Sequence, residues 1–137
     1  MFKRIAHIGV IVKDIEEAGA LFSEFFGFRK DDTLPQTDTQ GEFRSAFLVA
    51  GEVSIELIEP TNPNGTLAKF LQKRGEGLHH ISIEVDDIDQ KLDSLKAKGM
   101  RLINEKAQVV GNSKVAFVHP AGTKGILMEL TEKVPKQ

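Results

Sequence analysis

The 137-residue chain has no cysteine, no tryptophan and no tyrosine. Without cysteine there is no disulfide framework, no thiol nucleophile and no Cys-ligated zinc or iron–sulfur site. This fits a reducing compartment, and a cytoplasmic location is expected. Phe supplies all nine aromatic residues, which argues against a sugar-stacking or large protein-docking surface, where Trp and Tyr usually lead. Positive charge is not in excess: 18 Lys and Arg stand against 20 Asp and Glu, a net charge of −2, with a pI near 6.1. No basic footprint for nucleic acid exists, and none is expected as a partner. No apolar run reaches membrane-spanning length, so no membrane partner is expected. The N-terminal MFKRIAHIGVIVKD has a short apolar run with no small-residue cleavage site, so a secretory signal is not expected. There is no G-x-S-x-G, Walker loop or G-x-G-x-x-G, which removes support for serine hydrolase, P-loop and Rossmann readings.

What is present suits a folded chain. Hydrophobic residues make up 40% and charged residues 28%, enough to build a core and exclude wholesale disorder. A single domain over residues 1–137 is expected.

The sequence repeats itself. His7-Ile8-Gly9-Val10-Ile11-Val12-Lys13-Asp14-Ile15 aligns with His80-Ile81-Ser82-Ile83-Glu84-Val85-Asp86-Asp87-Ile88 at an offset of 73 residues. A helical pattern follows each, near Ile15–Phe26 and Ile88–Lys98, and each runs into a glycine, Gly27 or Gly99. Arg44-Ser45-Ala46-Phe47-Leu48-Val49 resembles Lys114-Val115-Ala116-Phe117-Val118-His119, and Ile55-Glu56-Leu57 resembles Met128-Glu129-Leu130. The chain is therefore predicted to be α+β, with two tandem βαβββ modules at about 5–60 and about 78–133. A linker at about 61–77 carries a short helix near Thr66–Arg74.

Strand alternation sorts these residues by face. Ile8, Val10 and Val12 point away from His7, Gly9 and Ile11; Ile81, Ile83 and Val85 point away from His80, Ser82 and Glu84. Glu56 lies between Ile55 and Leu57, and Glu129 between Met128 and Leu130. A lone His or Glu in a strand is ordinarily structural or solvated. Two of each, at matching places in two copies, point instead to one shared metal site. Imidazole nitrogens and carboxylate oxygens suit a divalent first-row cation: Co, Mn, Ni, Fe or Zn. Four ligands on a cation that accepts six leave two positions for water or substrate.

These residues resemble the vicinal oxygen chelate superfamily of glyoxalases, extradiol dioxygenases and fosfomycin-resistance proteins, from Ile5 to about Lys133. The resemblance implies a half-open, mostly antiparallel barrel-like sheet with helices outside. It also implies one divalent metal per site, held by His7, Glu56, His80 and Glu129, and a homodimer. Within the superfamily the chain is most similar to the methylmalonyl-CoA epimerase branch. The segments that carry this are Gly75-Glu76-Gly77-Leu78-His79-His80-Ile81, Ala116-Phe117-Val118-His119-Pro120 and Gly125-Ile126-Leu127-Met128-Glu129-Leu130. Alignment with the first repeat selects His80 over His79 as the ligand.

The branch implies interconversion of the 2R and 2S forms of an acyl-CoA substrate, methylmalonyl-CoA. Glu129 is the first candidate for moving the C2 proton. A glutamate that the branch carries on the second strand falls near Ser45, and the closest carboxylate is Glu42, so Glu42, or water through Ser45, is the second candidate. The branch has Gln where this chain has Glu56, and the added negative charge is expected to hold a metal more tightly while lowering its Lewis acidity. Asn112 and Lys124 are candidate substrate contacts in glycine-containing turns, where such residues also act simply as turn formers. His119, before Pro120, is a further candidate with a structural alternative. Two rival readings use the same scaffold: a lactoylglutathione lyase with the same ligands, and a metal-free small-molecule-binding protein.

Overall fold

The computed structural model describes residues 1–33 and 41–135. Its elements are β1 (Phe2–Ile11), α1 (Ile15–Phe26), β2 (Arg29–Lys30), β3 (Phe43–Ala50), β4 (Val53–Pro60), α2 (Thr66–Arg74), β5 (Gly77–Val85), α3 (Ile88–Ala97), β6 (Gln108–Val110), β7 (Ser113–Val118) and β8 (Met128–Lys133). The order βαβββ therefore occurs twice, with α2 between. In the first half the strands follow the order β2-β3-β4-β1, and in the second β5-β8-β7-β6. The pairing is mixed: β1–β4 and β5–β8 are parallel, while β2–β3, β3–β4, β6–β7 and β7–β8 are antiparallel.

The two main helices begin in the same way. Asp14 accepts the Glu17 N–H and Asp87 accepts the Gln90 N–H, both at 3.0 Å, so each aspartate fills a donor that the first helical turn leaves free. Gly27 ends α1 at φ 73°, a left-handed conformation that glycine adopts without a Cβ penalty.

The chain forms two compact units, His7–His79 and Met1–Ala6 with His80–Gln137. In the unit His7–His79, Val12, Ile15, Ala46, Leu48 and Leu57 form the core under α1. In the other, Val85, Ile88, Ala116, Val118 and Leu130 do the same with Leu92 of α3. These are repeat-equivalent positions, so the duplicated sequence builds the same core twice. The first six residues join the second unit because their charges are satisfied there. Lys3 Nζ lies 3.6 Å and Arg4 Nε 3.2 Å from Glu84, and the α-amino group lies 3.6 Å from Asp86.

Candidate metal centre

In the unit His7–His79, strand register sets the chemistry. Phe47 of β3 and Gly9 of β1 both lie opposite Glu56 of β4. His7 precedes Gly9 by two residues and so shares its face. The result is a contact between His7 Nε2 and Glu56 Oε1 at 3.3 Å, with both side chains about one-seventh exposed. Phe47 meets the His7 ring edge-on, centroids 5.6 Å apart at 81°. Such an edge contact restricts rotation of the imidazole.

The other unit repeats the arrangement with its own residues. Phe117 of β7 and Ser82 of β5 lie opposite Glu129 of β8. His80 meets Phe117 edge-on, centroids 5.8 Å apart at 88°. His80 and Glu129 are both buried. A His–Glu–Phe triplet is therefore built twice, at matching strand positions. The donor set is imidazole nitrogen and carboxylate oxygen with no thiolate, which fits a divalent first-row cation. Of the unit His7–His79, His7 and Glu56 are donors that could hold a metal ion. His79, one residue from His80, turns elsewhere: its ring packs edge-on against Phe70 of α2 at 4.8 Å.

Alternation assigned His80, Ser82 and Glu84 to the polar side of β5, yet all three are buried. For Glu84 the compensation is clear, since Lys3 and Arg4 surround a carboxylate that would be costly to bury alone.

The remaining sequence candidates fall in three kinds of place. Ser45 is buried on β3, two residues from Phe47 and on the same face. Glu42 lies just before β3, at the β4–α2 junction. Its carboxylate accepts from Asn62 Nδ2 at 3.0 Å, and a Cβ on Gly65 would come within 2.5 Å of it. Asn112, Lys124 and His119 belong to turns. Asn112 is exposed in the β6–β7 turn, and its carbonyl accepts the Val134 N–H at 2.7 Å. Lys124 is exposed at φ 60°. His119 Nδ1 accepts the Ala121 N–H at 3.0 Å, which caps the short 3-10 turn Pro120–Gly122.

Sequence reasoning missed the roles of Phe47 and Phe117. The signal was there, because Ala-Phe recurs at both places in the repeat. Two clefts of about 370 and 250 Å³ lie along α1, lined in part by Val10, Glu17 and Phe22 and by Ile15, Arg44 and Ala46. Neither is lined by His7 or Glu56, so they are separate from this chemistry.

Comparison with known proteins adds an independent line. The family model described as the Glyoxalase/Bleomycin resistance protein/Dioxygenase superfamily matches residues 6–117. The chain is similar to the uncharacterized protein YqjC of Bacillus subtilis, 33% identical over 132 residues, covering 94% of this chain and 91% of that one. It is 32% identical over 131 residues to the mitochondrial methylmalonyl-CoA epimerase of Homo sapiens, covering 94% of this chain and 73% of that protein. Among solved structures, a variant of Streptomyces coelicolor methylmalonyl-CoA epimerase in complex with 2-nitronate-propionyl-CoA superposes with a TM-score of 0.89. The identity there is 27%, covering 98% of this chain and all of that one.

Proposed function

The chain belongs to the Glyoxalase/Bleomycin resistance protein/Dioxygenase superfamily, and on that premise we propose that it is a metal-dependent epimerase interconverting (2R)- and (2S)-methylmalonyl-CoA. The observation that carries this reading is the doubled His–Glu–Phe triplet. In the proposed holoenzyme His7, Glu56, His80 and Glu129 hold one divalent cation: Co, Mn, Ni, Fe or Zn. When bound, the cation supplies Lewis-acid charge beside the thioester and carboxylate oxygens of the substrate, where negative charge develops as the C2 proton leaves.

The protein groups do the rest. Phe47 and Phe117 meet the two imidazoles edge-on and fix the orientation of the rings. Glu129 moves the C2 proton on one face at a carboxylate oxygen. On the other face the proton is moved by water bound at Ser45, or by Glu42 once it leaves Asn62. A positioned acid or base contributes roughly 10²–10⁴-fold. Asn112 and Lys124 meet the CoA portion from their exposed turns. The capping bond of His119 supports a structural role for that residue. The active form is a homodimer in the cytoplasm.

The test is incubation of the metal-loaded protein with (2R)-methylmalonyl-CoA in deuterated water. The expected result is epimerisation with solvent deuterium appearing at C2. Recovery of substrate with no deuterium at C2 would overturn the reading. Turnover of the methylglyoxal–glutathione hemithioacetal in its place would assign lyase chemistry.

A further inference from the structure

Ser82 is fully buried, and its Oγ has no hydrogen-bond partner among the described residues. A hydroxyl in that state costs free energy, and an alanine there would not carry the cost. Such a group calls for an account beyond stability. Its position supplies one. Ser82 of β5 pairs in register with Glu129 of β8, in a parallel ladder that turns both side chains to one face. Neighbouring strands lie about 4.8 Å apart. A serine hydroxyl that rotates about one bond and a glutamate with three rotatable bonds can close that gap to hydrogen-bond distance.

The repeat sharpens the assignment. The residue opposite Glu56 in the other module is Gly9, which has no side chain. The hydroxyl is therefore specific to the glutamate of the second module. Ser82 is also too deeply covered to touch a substrate, so whatever it does it does through a neighbouring side chain.

We propose that Ser82 is a positioning residue for Glu129, its hydroxyl being the donor that fixes the Glu129 carboxylate when that carboxylate holds a cation. The inference rests on the ligand role of Glu129 proposed above. A ligating carboxylate is itself commonly held by a hydrogen bond, and loss of that bond weakens metal affinity by about 10–100-fold.

The experiment is a Co²⁺ titration, followed by visible absorption, of the parent protein, Ser82→Ala, Glu129→Gln and the double variant. Thermal unfolding of each is measured without metal. Ser82→Ala is expected to unfold at or above the parent temperature while its Co²⁺ dissociation constant rises about tenfold. In the Glu129→Gln background the same change is expected to shift the constant by less than about twofold, because coupled residues are not additive. Unchanged Co²⁺ affinity in Ser82→Ala, or an equal loss in both backgrounds, overturns the proposal and leaves the cation reading standing. A lower unfolding temperature for metal-free Ser82→Ala, or failure to fold, makes the hydroxyl structural and also overturns it. A parent protein that takes up no Co²⁺ overturns the cation reading itself, and this proposal with it.

Discussion

The carboxylate of Glu132 accepts the backbone N–H of Ile88 at 2.8 Å, tying the last strand of its module to the first turn of α3. Glu59 does the same for Ile15 of α1 at 3.1 Å. Each of these glutamates lies three residues beyond Glu56 or Glu129, and an odd spacing in a strand puts the two carboxylates on opposite faces. One strand thus anchors its helix on one side and presents a ligand-type carboxylate on the other.

Glu132→Ala should destabilise the protein by about 1–3 kcal/mol, since it leaves the partly buried Ile88 amide without its partner. The check is a shift of the urea midpoint at unchanged slope. Glu132→Gln keeps a carbonyl acceptor and should recover part of the loss.

His7→Ala should lower the bound metal of protein purified from metal-supplemented medium, measured by elemental analysis. His119→Ala is the control. It removes the cap on Ala121, with a stability loss of about 0.5–2 kcal/mol, and should leave metal content unchanged. Equal metal content in parent and His7→Ala would refute the ligand assignment.

Acid should weaken the tie between β3 and α1. Arg44 donates to Glu16 at 2.8 Å, and this bond is the main reason the Glu16 carboxyl sits below its ordinary value of 4.5. A carboxyl with a lowered value in the folded state stabilises the fold above its ordinary value. That contribution is lost as pH falls through the lowered one. The stability gap between parent and Arg44→Ala should therefore narrow as pH falls below 4.5. Urea midpoints across that range measure it, and added salt should narrow the gap at neutral pH, because both groups are exposed to solvent.

Local order was legible in the residues. The repeat predicted βαβββ twice and the helix Ile15–Phe26 from periodicity and the glycine that follows it, and the linker was expected to hold a short helix near Thr66–Arg74. The same pattern separated His80 from His79, and the structure gives the two rings different partners, Phe117 and Phe70. The neighbours of Glu42 were not legible. Its bond to Asn62 spans 20 residues and depends on how the β4–α2 junction folds back over the start of β3.

By itself, the sequence determined the duplicated architecture, the glycines that end the helices and which residue types stand at matching strand positions, because alternation and helix ending act over a few residues. Tertiary structure alone decided what those side chains meet. It buried His80, Ser82 and Glu84 on the side expected to be polar, and brought Lys3 and Arg4 to Glu84 across about 80 positions. It also set Phe47 and Phe117 against the two imidazoles. Partners so far apart in sequence are chosen by strand register, which arises from the pairing of whole strands and not from the residues next to each side chain.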